Sequence, residues 1–395
     1  MAVFPVDLIE RSLQDSCRMD LTFVFPCLNE EETIVACIEA VKDSLGSAGD
    51  LLRYEIVVAD NGSTDRSAAL ATAAGARVVP VSERGYGAAL RGGIAAAAGT
   101  YVMFADADMT YQYEDALPLY QKAVEEDADM AIASRMRGVI EPGAMPALHR
   151  WLGTPVLTTL INLLFHGNLS DCNSGFRCLR KSAYDSWGIR ANGMEFASEL
   201  LIKALKHRAR TVEIRSGLRR GPEGRIAHLR TWRDGMRHLL FILSERPRLF
   251  EFGGLLLVVL STFLQIVAII LGPTEVAGLN VFDMHSKAVL LLAGITGMQL
   301  YVFSCILFLR ERERPTPMTA KLIGIEEAPL FFLLLSILVM ETVLVGGVVL
   351  NWVLNNFANL GLANVLIGGI HFLGLPLMLA IALLGLHVFK KSGDA

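Results

Sequence analysis

Four stretches of the chain, Phe252 to Leu271, Ala288 to Leu309, Ala328 to Val353 and Val365 to Phe389, are almost free of charge. Each reaches the roughly 20 residues with which a helix crosses about 30 Å of hydrocarbon, so a single soluble globule is excluded. Composition marks the boundary. Residues 249–395 hold 7 basic and 9 acidic side chains, whereas residues 1–248 hold 29 and 31. The front is long enough for a soluble domain with its own core, and the rear reads as an all-α membrane domain of four helices. Arg246 and Arg248 precede the first run, Arg310, Arg312, Arg314 and Lys321 separate the second from the third, and Lys390 and Lys391 follow the fourth. The opposite loops offer only Lys287, so the positive-inside rule puts the basic clusters, both termini and the soluble domain on the cytoplasmic face. Glu341 is the one formally charged residue within a run, with Gln265 and His371 as polar company. So little internal polarity reads as an anchor rather than a pump.

The formal net charge of −4 conceals two opposed halves. Residues 1–129 carry 9 basic and 22 acidic groups, a net of −13; residues 130–248 carry 20 and 9, a net of +11; the remainder adds −2. A basic half beside membrane spans suggests anionic headgroups or phosphorylated ligands, and that proximity speaks against nucleic acid. The six cysteines, Cys17, Cys27, Cys37, Cys172, Cys178 and Cys305, form no C-x-x-C pair and read as reduced thiols. Asp7, Glu10, Asp15 and Asp20 interrupt every early apolar stretch, so no signal peptide is read there.

Residues 21–105 alternate between the two periodicities. Leu21–Pro26, Tyr54–Ala59, Val78–Val81 and Tyr101–Ala105 read as strands; Thr33–Leu45, Ser67–Ala74 and Tyr86–Ala98 read as helices. This pattern predicts an α/β domain with a mostly parallel sheet covered on both faces, whose ligands sit beyond the C-terminal strand ends. Polar residues follow those ends: Asn29 and Glu30; then Asp60, Asn61, Gly62, Ser63, Thr64 and Asp65; then Asp106 and Asp108. Any one set could be turn or cap chemistry, but three at one sheet edge point to a site. The paired carboxylates of Asp106 and Asp108 suit a hard divalent cation, Mg2+ or Mn2+, that keeps positions for the phosphates of a nucleotide.

The segments Pro26-Cys-Leu-Asn-Glu-Glu-Glu32, Val57-Val-Ala-Asp-Asn-Gly-Ser-Thr-Asp65, Gly85-Tyr-Gly-Ala-Ala-Leu-Arg-Gly-Gly93 and Phe104-Ala-Asp-Ala-Asp108 resemble family-two glycosyltransferases of the GT-A (Rossmann-like) fold. Cys172-Asn-Ser-Gly-Phe-Arg177 and Gly193-Met-Glu-Phe-Ala-Ser-Glu199 are similar to the branch that makes polyprenyl-phosphate sugars, the dolichyl-phosphate mannose and glucose synthases. The resemblance covers about residues 20–245. It implies that Pro26, Leu28, Glu30 and Asp60, with Gly62 and Ser63 of the same loop, line the nucleoside pocket, and that Asp106 and Asp108 hold the metal and donor diphosphate. It implies that the Gly85-Tyr86-Gly87 turn lets backbone approach the nucleotide. Arg135, Arg150 and Thr154 would bind the acceptor phosphate, Arg150 and Thr154 sharing a helix face.

Two departures shape the expected activity. Met109-Thr110-Tyr111-Gln112 stands where mannose synthases continue with Leu-Gln or Leu-Ser, which favours a UDP-hexose over GDP-mannose, and the Q-x-x-R-W signature of processive synthases is missing before Trp151. The expectation is metal-dependent, inverting hexosyl transfer to polyprenyl (dolichyl or undecaprenyl) phosphate. Another lipid acceptor would need a general base, for which Asp171 and Glu195 are the candidates; a non-catalytic nucleotide-binding scaffold or lipid-translocation subunit is the alternative of another class. Ala144 to His166 reads as an interfacial helix interrupted by Pro155, and Arg219–Arg225 as a loop able to close over the donor phosphates with Arg225. The expected domains are an N-terminal extension (1–20), a GT-A domain (21–215), a basic loop and interfacial helix (216–250) and the membrane domain (251–395), with a homo-oligomer through the spans compatible with it.

Overall fold

A computed structural model describes residues 19–222, 231–276, 279–310, 313–355 and 363–393. The chain divides into two compact units, Met1–Ile242 and Leu243–Ala395. In the first unit β1 (Leu21–Cys27), β2 (Tyr54–Asp60), β3 (Arg77–Pro80), β4 (Tyr101–Phe104), β5 (Met130–Ser134), β6 (Arg177–Arg180) and β7 (Thr211–Arg215) form one sheet in the order β3-β2-β1-β4-β6-β5-β7. It is mostly parallel, as the alternation predicts. The exception is β6, which pairs antiparallel with both β4 and β5.

Strand periodicity divides the core between two faces. Phe23, Phe25, Ile56 and Val58 point to one side, where helix α1 (Ile34–Gly46) delivers Ile34, Ile38, Val41 and Leu45. Val24, Val57 and Ala59 point to the other, against Leu90 and Ile94 of α3 (Tyr86–Ala96). Successive strand residues facing opposite layers is what a sheet covered on both sides requires. Between these helices lies α2 (Ser67–Ala73); after β4 come α4 (Ala116–Glu125), α5 (Thr154–Phe165), α6 (Lys181–Trp187), α7 (Phe196–Lys206) and α8 (Thr231–Ser244). From β1 the chain builds outward through β2 and β3, then returns to place β4 on the opposite side of β1. The switch point therefore lies between the C-terminal ends of β1 and β4, the place where such sheets bind ligands.

Among the described residues, the second unit holds four helices long and apolar enough to cross a membrane: Pro247–Leu271, Met284–Leu309, Glu327–Leu354 and Val365–His387. In helix terms these are α9 (Pro247–Leu271), α10 (Met284–Arg310), α12 (Glu327–Leu354) and the pair α13 (Ala363–Gly369) and α14 (Leu375–Gly393), with a short α11 (Pro317–Ile323) before α12. Helices α9 and α10 meet backbone to backbone, since a Cβ on Gly254 would lie 2.6 Å from the Gly297 carbonyl oxygen. Small residues at such crossings are the usual means of helix association in lipid. The polar residues turn inward: Thr262 and His371 Nε2 lie 3.0 Å apart, and Gln265 is fully buried. Glu251, one residue outside the first apolar run, is also fully buried; its carboxylate accepts from the Thr316 hydroxyl at 2.6 Å and backbone N–H at 3.1 Å.

Candidate active site

The loops after β1 and β2 are stitched together by the polar residues that the sequence puts there. Asn29 takes a left-handed conformation, φ 57°, which Asn tolerates better than most residues. Its Oδ1 accepts the Thr64 N–H at 2.8 Å, while the Asn29 N–H donates to Ser63 Oγ at 3.0 Å. Asp60 Oδ1 accepts the Ser63 N–H at 3.0 Å, and the Glu30 N–H donates to Ser67 Oγ at 2.8 Å. The loops thus form one shelf, with Leu28 standing exposed on it. Asn61 ties the shelf to the next loop: it is buried, donates to the carbonyls of Val81 and Glu83, and accepts the Gly85 N–H at 2.8 Å.

Asp106 and Asp108 emerge from β4 at the switch point. The Thr33 hydroxyl, from the start of α1, donates to the Ala107 carbonyl at 2.6 Å and so joins the two sides of the crevice. Asp106 Oδ1 accepts from the Tyr86 hydroxyl at 2.8 Å; Asp108 Oδ1 accepts from the Thr110 N–H at 3.0 Å and hydroxyl at 2.6 Å. No cluster of three or more His, Cys, Asp or Glu ligands exists among the described residues. Two carboxylates nevertheless suit Mg2+ or Mn2+, which commonly take one or two protein carboxylates and complete their shell with phosphate and water oxygens. The fit is supported by Gly175, where a Cβ would lie 3.0 Å from Asp106 Oδ2, so that a side chain there would crowd the carboxylate.

The Gly85-Tyr86-Gly87 turn meets the chain itself. A Cβ on Gly85 would sit 2.1 Å from the Asn192 carbonyl oxygen, and one on Gly87 2.4 Å from that of Ala191. Glu199 fixes this facing segment by accepting the backbone N–H groups of Arg190 at 3.0 Å and Ala191 at 2.6 Å. Glu195 accepts the Gly193 N–H at 3.2 Å. Gly85 also has φ 131°, a region that residues with a Cβ avoid. Gly85→Ala is therefore expected to cost about 1–3 kcal/mol from backbone strain alone, with the carbonyl clash added. Gly49→Ala, at φ 58° with nothing within 4 Å, should cost only about 1–2 kcal/mol. Thermal unfolding of the solubilised chain, followed by fluorescence, compares the two.

The residues expected at the acceptor phosphate separate into different environments. Arg135 places Nε 2.8 Å from Asp171 Oδ2 and Nη2 2.9 Å from Oδ1, a bidentate pair, and its backbone N–H adds a third bond at 3.1 Å. The Asp171 side chain is fully buried and that of Arg135 is 12% exposed. Burial opposes ionisation of Asp171, but the facing Arg135 outweighs it and holds the carboxyl below the usual range. Arg135 in turn is held above the ordinary arginine value, the carboxylate outweighing its burial. Burial, then the Arg135 charge, lowers the nearby His149. Asp171, a candidate base from sequence, is thus the counter-ion of Arg135.

Arg150 differs. Its guanidinium lies over the Trp151 ring, 5.1 Å from the centroid, and Trp151 is 74% exposed. The segment is interrupted, as Pro155 leads one to expect, but the break falls in the turn before the proline. His149–Gly153 is a π-turn in which the Thr154 N–H bonds the His149 carbonyl, and α5 starts only at Thr154. Pro155, lacking an N–H, cannot supply the α-helical bond to Trp151, which accounts for the widened turn. Thr154 is buried and accepts from Asn173 Nδ2 at 3.4 Å.

Residues 217–221 cross over the carboxylate loop. The Arg219 N–H donates to the Thr110 carbonyl at 2.7 Å, and a Cβ on Gly221 would lie 3.9 Å from the Asp108 carbonyl. Arg225 lies outside the described residues. Asn61 belongs to the polar set expected at the strand ends, whereas Glu199, Tyr86 and Arg177, though inside the motif segments, are given no role of their own by the sequence. Arg177 is 1% exposed and donates to the carbonyls of Cys172, Ser174 and Ala197, bracing the Cys172–Phe176 loop under the site.

Sheet order, and the carboxylate pair at the switch point, place the first unit among the GT-A glycosyltransferases. Residues 22–188 match glycosyl transferase family 2. Over 286 residues, 72% of this chain and 67% of the relative, the protein is 37% identical to the low-salt glycan biosynthesis hexosyltransferase Agl6 of Haloferax volcanii. The chain belongs to glycosyltransferase family 2. It is also 30% identical over 188 residues, 47% of this chain and 76% of the relative, to a dolichyl-phosphate hexose transferase of the same organism. Among solved structures, glucosyl-3-phosphoglycerate synthase from Mycobacterium tuberculosis, in complex with Mn2+, UDP and glucosyl-3-phosphoglycerate, matches with a TM-score of 0.44 and 23% identity, covering 62% of this chain and 85% of that one.

Proposed function

We propose that the protein transfers a hexose, with inversion, from a nucleotide sugar to polyprenyl phosphate at the cytoplasmic face of a membrane. The observation that carries this is the commitment of Asp171 to Arg135, which removes one of the two carboxylates that could serve a hydroxyl acceptor as base; the other, Glu195, accepts the Gly193 N–H of its own segment. A phosphate monoester needs none: its second pKa is about 6, so at neutral pH it is mostly the dianionic nucleophile. The dolichyl-phosphate hexose transferase among the relatives supports the same acceptor class.

The nucleoside is received on the Pro26–Glu30 and Asp60–Ser63 shelf, and Asp106 and Asp108 would hold Mg2+ or Mn2+ with the diphosphate. The bound ion supplies positive charge to the departing nucleoside diphosphate. Arg150, with no carboxylate partner among the described residues, meets the acceptor phosphate; Arg135, through its backbone and fork, keeps the Asp171–Asn173 loop in place beside it. In-line attack on the anomeric carbon makes the outcome inversion, and catalysis reduces to positioning and charge. A UDP-hexose is favoured over GDP-mannose because Met109 and Thr110 follow the carboxylates. The basic clusters flanking the four spans favour a cytoplasmic catalytic unit.

Membranes containing the protein, incubated with Mn2+, polyprenyl phosphate and labelled UDP-, GDP- or dTDP-sugars, should yield a chloroform-extractable labelled lipid, with UDP-hexose the best donor. No labelled lipid with any of these donors would refute transfer to polyprenyl phosphate.

A further inference from the structure

Tyr86 opens α3 and lies in a different element from the strand that delivers the paired carboxylates. Its hydroxyl donates to Asp106 Oδ1 at 2.8 Å. Two further tyrosines close around the same residue. Tyr113 donates to the Asp106 backbone carbonyl, and Tyr111, itself buried, accepts the Gly175 N–H at 2.6 Å. The three elements meet at Gly175, where a Cβ would lie 2.9 Å from the Tyr111 hydroxyl, 3.0 Å from Asp106 Oδ2 and 3.4 Å from the Tyr86 hydroxyl. A carboxylate turns easily about its terminal torsion, which is broad and roughly two-fold. A hydrogen bond from a ring seated on a packed helix removes that freedom.

We propose that Tyr86 is a positioning residue that, by engaging Oδ1, fixes the plane in which the Asp106 carboxylate is presented to the divalent cation of the donor diphosphate. The role rests on the donor-site reading given above. A phenol suits it because it is a neutral donor: it orients the carboxylate without cancelling the negative charge that attracts the cation, as a lysine would. The bond is also charge-assisted, and so stronger than one between neutral groups.

Tyr86→Phe keeps the ring in its apolar surroundings and deletes only the donor. In the full-length solubilised chain, with UDP present, the variant should bind Mn2+ about ten-fold more weakly, measured as free Mn2+ by electron paramagnetic resonance, since a hydrogen bond to a charged group is lost. Transfer should fall at limiting Mn2+ and recover at saturating Mn2+, and the metal-free melting temperature should stay within a few degrees of the parent. Unchanged Mn2+ affinity, or a rate loss that saturating Mn2+ does not restore, would refute the positioning role. If the parent chain itself takes up no Mn2+ in the presence of UDP, the donor-site reading fails first and the role of Tyr86 fails with it.

Discussion

Asp108→Ala is expected to lower hexosyl transfer by about 10²–10³-fold or more, because it removes one of the two carboxylates proposed to hold charge-stabilising metal at the departing diphosphate. The fold should survive. Asp108 is only half-buried, and its carboxylate faces the N–H and hydroxyl of Thr110, a loop residue still anchored by its own carbonyl to the Arg219 N–H at 2.7 Å. The hydroxyl and N–H of Thr110 can turn to water once the carboxylate is gone, so the expected stability loss is about 1 kcal/mol or less. A chelator in excess should inactivate the parent as thoroughly as the substitution does, and Mn2+ should restore the parent but not the variant. Labelled-lipid formation and a melting curve on the same preparation separate the outcomes. Full transfer by Asp108→Ala, or by the parent in chelator, would end the metal assignment.

Asp106 and Asp108 are legible in the sequence because they follow an uninterrupted apolar run that begins at Tyr101. An apolar tetrapeptide ending in two acids has few places to go except the C-terminal edge of a sheet. The same logic made β1, β2 and the four membrane runs legible, since apolar length and period carry the signal there. β6 was not legible. Arg177-Cys-Leu-Arg180 begins and ends with arginine, and its placement depends on Arg177 finding three backbone carbonyls in the interior, which no local pattern announces. The glycine turn was legible as a place of close approach but not as to what approaches: Asn192 is more than a hundred residues away in sequence, and the positive φ of Gly85 exists to receive it. Glu251 was missed by one position, because an apolar run is counted from its first apolar residue, whereas the helix begins at Pro247 and buries the carboxylate in its second turn.

The hardest inference from sequence was which arginine meets a ligand. Residue type made Arg135 and Arg150 equivalent; their partners make them different, and the difference has measurable size. Arg135→Met leaves Asp171 fully buried with no counter-charge, which costs about 3–5 kcal/mol in comparable pairs. Arg135→Met combined with Asp171→Leu should recover most of that loss, because no uncompensated charge remains. The pH dependence has a definite sign. In the parent, the Asp171 carboxyl is held below its unfolded value, so its contribution is present above about pH 4 and is lost only as pH falls through the lower folded value; stability is flat from pH 5 to 8 on this account. In Arg135→Met burial raises the carboxyl with only the backbone N–H groups of residue 135 and Asn173 left to oppose it, so protonation relieves the penalty and the variant should melt higher at pH 5 than at pH 8. Arg150→Met should behave oppositely in kind. Its guanidinium lies over an exposed indole, with no carboxylate partner among the described residues, so melting should change little while the KM for polyprenyl phosphate rises about ten-fold or more, as expected for a lost charge-assisted contact to phosphate. If instead Arg135→Met melted like the parent and lost acceptor affinity alone, the two arginines would share one role, and the ion pair with Asp171 would have to open when the lipid phosphate binds.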